Sequence, residues 1–317
     1  MNPMRVFVTG ATGLVGTRLV RRLLERGDSV VALSRRAATA RERLGDLGDR
    51  CTVVEGDPMQ AGAWMDAVSD CEGVIHLAGE NIFAKRWDAA FKELLRDSRV
   101  KSTANIVQAL ARKPRTAAGQ GKVLVNASAI GFYGPRADEA LDEDSPRGDD
   151  LLARVCIDWE QAARAAEAQG VRVAMVRVGL VLDSEGGALA KLITPFKLCV
   201  GGPIGWTPWS GQHYVSWIHH ADMVGLFLLA LDNAGAHGPI NGTAPNPVTN
   251  REFGKALGRA LHRPAFMPTP PLALRLVLGE VVSIIATGQR VLPKRALALG
   301  YAFRFSTIDA ALKDIIG

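Results

Sequence analysis

The segment Gly10-Ala11-Thr12-Gly13-Leu14-Val15-Gly16 stands between an apolar run, Val6-Phe7-Val8, and a helical repeat formed by Val15, Leu19, Val20, Leu23 and Leu24. Few folds accommodate that order. A strand that feeds a helix through glycines lets backbone approach a pyrophosphate, whose charge is met by free N–H groups and the positive end of the helix dipole. Gly27 then supplies the stop expected after such a helix. Strand, loop, helix and stop together read as a dinucleotide-binding fingerprint, with Gly10, Thr12, Gly13, Leu14, Val15 and Gly16 as the cradle.

The end of the next strand bears on which dinucleotide. After Ser29-Val30-Val31-Ala32-Leu33 come Ser34, Arg35 and Arg36, where an NAD site commonly presents an acid to the ribose 2′-hydroxyl. Two guanidiniums and a hydroxyl suit a 2′-phosphate instead, because arginine offers a fixed fork of donors. NADP(H) is therefore expected over NAD(H). The bland alternative is solvated charge leading into the helix of Arg41 and Arg43.

Strand-like and helix-like segments keep alternating: 51–55, a helix around 64–68, 73–79, a long helix with Trp87, Phe91, Leu94 and Leu95 on one side, 122–126, a helix over 151–166, and 171–176. This predicts an α/β, Rossmann-type doubly wound parallel sheet. Beyond Gly179 the rhythm breaks into glycine-, proline- and tryptophan-rich sequence, so residues 1–244 read as the coenzyme domain, with a substrate-lobe insertion around 183–218. Residues 245–317 read as a smaller C-terminal lobe. With 48% apolar residues there is ample material for a core. A net charge of +6 over 317 residues is too modest to suggest a nucleic-acid partner. No stretch has membrane-spanning length and no signal-peptide pattern precedes the first strand, so no membrane association and a cytoplasmic location are expected. Cys51, Cys71, Cys156 and Cys199 are widely spaced, suggesting neither a disulfide framework nor a metal site.

Several further motifs carry a family resemblance. With the glycine fingerprint, Leu77-Ala78-Gly79, Ser128-Ala129-Ile130-Gly131-Phe132-Tyr133-Gly134 and Trp217-Ile218-His219-His220-Ala221-Asp222 resemble an extended short-chain dehydrogenase/reductase. Leu77 to Ile82, Arg86-Trp87, Ser98-Arg99, Trp159-Glu160, Arg177 to Leu182 and Asn241 to Pro245 are similar to its epimerase family protein subgroup. So are Leu278-Gly279-Glu280 and Gly288 to Pro293, which match that subgroup's C-terminal region. The resemblance implies a coenzyme domain with a C-terminal substrate lobe, NADP(H) held through Ser34 and Arg35, an unidentified small-molecule substrate, and a homodimer built on the helices of 87–110 and 151–166.

The departures are informative. Extended members carry a Tyr-x-x-x-Lys pair, tyrosine to exchange a proton and lysine to lower its pKa and hold the nicotinamide ribose. Here Leu152 and Cys156 fall at those places, and neither can do that work. The hydroxyl that polarises a substrate carbonyl falls on Ala129 in one register and Ser128 in another. Where relatives have an asparagine stands Arg99, either a cationic substitute for the lysine or an exposed helix charge.

The simplest chemistry is hydride exchange with a carbonyl or alcohol carbon. Ser128 would hold the oxygen, Tyr133 or water would handle the proton, and Arg99 or Arg86 would stabilise developing charge. Tyr133 equally suits a pocket wall. Leu77, Ala78, Gly79 and Glu80 border the coenzyme, with Arg86 beside them. Gln212, His213, Trp217 and His219 are substrate-lobe candidates. The alternative is an inactive NADPH-binding regulatory protein, since some members of the subgroup carry a cell-division label. A nucleotide-sugar epimerase of ordinary mechanism is disfavoured by Leu152 and Cys156.

Overall fold

In the computed structural model, which describes residues 3–45, 48–117, 119–205, 210–265, 267–268 and 287–317, strands and helices alternate through the first half. They run β1 (Arg5–Thr9), α1 (Leu14–Glu25), β2 (Ser29–Ser34), α2 (Ala37–Leu44), β3 (Cys51–Glu55), α3 (Trp64–Ser69), β4 (Gly73–His76), α4 (Ala89–Arg112) and β5 (Val123–Ala129). After short β6 (Ala140–Leu141) come α5 (Leu151–Arg164), β7 (Arg172–Val178), β8 (Leu180–Leu182), α6 (Gly187–Lys197), β9 (Tyr214–Val215) and β10 (Trp217–His219). α7 (His220–Asp232), β11 (Gly238–Gly242), β12 (Val248–Thr249), α8 (Asn250–Ala260), β13 (Arg290–Val291), α9 (Lys294–Ala298) and α10 (Ile308–Ile316) complete the described elements.

Seven strands form a parallel sheet in the order β11-β7-β5-β4-β1-β2-β3. The order reverses direction at β1 and β4, which opens a crevice at their carboxyl ends, the usual ligand position in such sheets. β1, β2, β4, β5 and β7 are apolar on both faces because helices cover both sides. One face packs Leu19, Val20, Leu23 and Leu24 of α1 with Phe227 and Leu231 of α7. The other packs Trp64 and Met65 of α3 with Ile106 and Leu110 of α4. A separate apolar cluster joins Leu189, Phe196, Trp217, Phe253, Leu257, Ile308 and Leu312 beyond the sheet.

Local differences from the sequence reading have physical causes. Asp88 accepts from the Phe91 N–H and starts α4 at Ala89, leaving Trp87 outside it. Asp150 starts α5 through the Ala153 N–H, and the α-helix ends at Arg164, after which Ala165–Gln169 tightens into a 3₁₀ turn. β5 runs on to Ala129, so Ser128 lies within a strand paired with Arg177. His219 caps α7, and the buried Asp222 carboxylate accepts from Tyr301 Oη and from the Arg304 and Phe305 N–H groups, tying the C-terminal segment to α7. Leu278-Gly279-Glu280 lie outside the described residues.

Candidate functional site

The glycine loop is built for close backbone approach. Gly10 has a φ of 65°, and a Cβ there would lie 2.8 Å from the Leu77 carbonyl carbon. A Cβ at Gly16 would lie 2.1 Å from the Gly10 carbonyl oxygen, so α1 can start this near β1 only with glycine. Gly13 is the N-cap of α1 and has no side chain to cap it, which leaves the first-turn N–H groups at Leu14, Val15 and Gly16 directed into the crevice beside Thr12. These residues fit the pyrophosphate of a dinucleotide.

At the end of β2 the Ser34 hydroxyl is engaged locally, donating to the Arg36 carbonyl at 3.0 Å and accepting from the Arg36 N–H at 3.2 Å. It stiffens the turn, and the exposed Arg35 and Arg36 guanidiniums enter no ion pair among the described residues. Two neighbours escaped the sequence reading. Glu55 of β3 accepts from the Ala37 N–H at 2.8 Å and so occupies the start of α2. Arg43 of α2 reaches back to the Thr12 carbonyl at 3.3 Å, which brings a third guanidinium to the rim between Ser34 and the glycine loop.

On the other side of the switch point a chain of hydroxyls orders the loop after β4. The Leu77 and Ala78 N–H groups donate to Thr9 Oγ1 at 3.2 and 3.1 Å, so the Thr9 hydroxyl proton is directed to His76 Nδ1 at 2.6 Å. His76 Nε2 then donates to Ser102 Oγ at 3.0 Å, and Ser102 donates to the Ser98 carbonyl at 2.6 Å. Burial holds His76 neutral, its pKa lowered to about 3. Gly79 is exposed, the Glu80 N–H donates to Ser98 Oγ at 3.0 Å, and Arg86 is exposed.

Arg99 crosses from α4 to this loop. Its Nη1 donates to the Leu95 carbonyl at 2.8 Å and its Nη2 to the Glu80 carbonyl at 3.0 Å, with the guanidinium 5.2 Å from the Trp159 ring centroid. It is thus no exposed helix charge; burial lowers its pKa by penalising the cation. Leu152 and Cys156 line the same side, within 3.4 and 3.7 Å of where a Gly131 Cβ would be. Burial pushes the Cys156 thiol up to about 12, which keeps it uncharged.

The other two expected catalytic groups are placed differently from the sequence reading. Ser128 is buried and donates to Glu160 Oε1 at 2.7 Å, so its one proton is already committed. Glu160 is also gripped by Arg177, Nε to Oε1 at 2.7 Å and Nη2 to Oε2 at 2.9 Å, and Arg177 lies 3.5 Å from the Phe132 ring centroid. Arg177 Nη1 donates to the Tyr133 hydroxyl at 2.9 Å, which donates to Asn241 Oδ1 at 2.7 Å. Tyr133 is 0% exposed and its pKa is raised, by burial above all, to about 12. A phenol so engaged suits the pocket-wall role that the sequence also offered for Tyr133. Trp159-Glu160 and Arg177 were visible as motifs, but nothing in their spacing revealed that they pair across two elements.

Of the substrate-lobe candidates, Trp217 is core, its Nε1 bonded to the Asn246 carbonyl at 3.0 Å. His219 donates from Nε2 to Asp314 at 3.1 Å. The rings of His219 and His220 lie 4.2 Å apart, His220 being the first residue of α7. No cluster of three or more metal-ligating side chains occurs among the described residues. No described helix is long and apolar enough to cross a membrane.

Comparison with known proteins agrees with this fold. Residues 6–241 match the model of the NAD-dependent epimerase/dehydratase family, and residues 269–315 match a domain of unknown function, DUF1731. The Arabidopsis thaliana chloroplastic homolog of epimerase family protein SDR39U1 is 40% identical over 99% of this chain and 87% of its own. Epimerase family protein YfhF of Bacillus subtilis is 36% identical over 99% and 98%. The crystal structure of human SDR39U1 with NADPH superposes with a TM-score of 0.83 at 34% identity, covering 99% of both chains. A Corynebacterium glutamicum nucleoside-diphosphate sugar epimerase superposes at 0.78 with 32% identity, over the whole of this chain and 59% of the other.

Proposed function

The chain belongs to the NAD-dependent epimerase/dehydratase family, and from that premise we propose that it is an NADP(H)-binding, oxidoreductase or epimerase-like protein acting on a small molecule through a nonstandard site. The observation that carries the coenzyme reading is the trio of Arg35, Arg36 and Arg43 beside the uncapped start of α1. That a human relative was crystallised with NADPH supports the same choice.

When bound, NADP(H) supplies a hydride donor or acceptor. The chain's own residues would hold it: α1 and the glycine loop the pyrophosphate, the three arginines the 2′-phosphate, and the Leu77–Glu80 loop the nicotinamide half. Arg99 offers a cation to a developing oxyanion. With Tyr133 committed to Arg177 and Asn241, and Leu152 and Cys156 unable to titrate near neutrality, proton exchange falls to water admitted to the crevice. That neither Leu152 nor Cys156 can replace the usual tyrosine and lysine favours a second reading, an inactive NADPH-binding regulator. A cytoplasmic location and a homodimer belong to this proposal, read out by cell fractionation and sedimentation.

Titrating coenzyme-free protein with NADPH and NADH by nicotinamide fluorescence tests the reading. NADPH should bind more tightly, and Arg35→Ala should weaken it by about 10- to 100-fold, the worth of a charge-assisted bond. Equal binding of the two coenzymes would overturn the 2′-phosphate assignment. Turnover of NADPH with any carbonyl substrate would retire the inactive reading.

A further inference from the structure

Arg99 and Arg177 both pack against α5, and of these two only Arg177 is ion-paired. Arg177 is held by both oxygens of Glu160. Arg99 spends its two bonds on backbone carbonyls and enters no ion pair among the described residues. None of its other neighbours pairs with it. Gly79 brings no side chain, Trp159 offers a ring face, the Cys156 thiol is uncharged, and Glu80, the acid that bears on Arg99, lies beyond ion-pair distance.

The position follows from the sheet order. If the 2′-phosphate sits at the end of β2 and the pyrophosphate at the end of β1, the nicotinamide half continues in the opposite direction, over the ends of β4 and β5. Arg99 sits there, against Gly79 and Glu80 after β4 and against α5. The oxidised nicotinamide ring is a cation and the reduced ring is neutral. A fixed positive charge in a partly desolvated wall repels the former and not the latter.

We propose that Arg99 makes this crevice a reader of coenzyme redox state, selecting NADPH over NADP+ through an unpaired positive charge at the nicotinamide end. The inference rests on the coenzyme reading above. Its consequence is that occupancy tracks the NADPH/NADP+ ratio, whether the occupied protein then reduces a substrate or signals to a partner. Reduced coenzyme would be retained, and oxidised coenzyme, formed where a substrate carbonyl carbon takes the hydride, would be released more readily.

Affinities of the full chain for NADPH and for NADP+, measured by calorimetry, test this. The wild type should favour NADPH by about tenfold or more. Arg99→Met should bring the two affinities within about twofold of one another, chiefly by tightening NADP+, and Arg99→Lys, which keeps the charge, should preserve the preference. Arg99→Gln, which keeps one donor to a carbonyl, serves if the methionine variant does not fold. Equal affinities in the wild type, or a preference unchanged in both neutral variants, overturn the proposal. So does Arg99→Lys behaving like the neutral variants, which would mark a packing role. Failure of the wild type to bind either coenzyme would sink the coenzyme reading itself, whereas equal binding of both sinks only the charge argument.

Discussion

Glu160 answers to two partners at once, receiving the Ser128 hydroxyl and both forks of Arg177 while almost wholly buried. Removing one member of such a pair leaves a desolvated charge, which costs more than the pair itself contributes. Glu160→Gln should therefore destabilise the protein by about 3–5 kcal/mol in urea unfolding, whereas Ser128→Ala, which removes one bond from a carboxylate that keeps its arginine, should cost about 1 kcal/mol. Similar losses for the two variants would mean that the buried ion pair contributes little. Cys156 supplies a second prediction. With its thiol raised to about 12 and 4% exposed, it should resist alkylation in the native protein at pH 8, when thiolate chemistry requires both access and ionisation. Both residues were in view in the sequence; their environments were not.

At the scale of elements, α1 performs two tasks, one with its apolar face and one with its N-terminal end. Leu19, Val20, Leu23 and Leu24 seat it on the sheet, and its first turn stays open for an anion. The loop after β8 is fastened to it: Arg18 donates to Asp183 from Nε at 2.6 Å and Nη2 at 2.9 Å, and Cβ atoms at Gly186 and Gly187 would be 3.0 and 3.3 Å from Leu14. Asp183 is 0% exposed while Arg18 keeps some solvent contact, so the pair is worth more than a surface bridge and less than a fully desolvated one. Arg18→Met should cost about 1–3 kcal/mol and speed amide exchange at Glu185 and Gly186, since the loop loses its tie to α1. Unchanged exchange there would show that Leu14 packing holds the loop alone. Gly16→Ala is the harsher change. Its Cβ would overlap the Gly10 carbonyl, so the loop must open and coenzyme binding should be lost.

Across the whole molecule, buried histidines set a pH dependence. Burial lowers His76 to about 3 and His219 to about 4, below the 6.5 expected in an unfolded chain. Between those values the unfolded state binds protons that the folded state refuses, so stability is fully present above pH 6.5 and declines as pH falls. Each histidine contributes a slope of up to about 1.4 kcal/mol per pH unit. Glu143, whose pKa burial raises, works in the opposite sense, because its folded form takes up a proton more readily. Urea midpoints at pH 7 and 5 should show the net decline, and a His76→Asn variant should show a shallower one. An identical slope in the variant would remove His76 from the account.

The sequence by itself determined the alternation of strands and helices, the glycine loop and the absence of an acid among Ser34, Arg35 and Arg36, because these depend on neighbours along the chain. Periodicity and φ-permissive glycines are local quantities. Only the tertiary structure decided which polar groups are spent. Ser128 and Tyr133 are drawn inward by Glu160, Arg177 and Asn241, residues 32, 44 and 108 positions away. Arg43 and Asp183 reach the glycine loop and α1 through parallel pairing that brings distant segments to one end of the sheet. The charge left over at Arg99 follows from where carboxylates end up, and that is settled by packing because a buried ion must find its partner in space rather than in sequence.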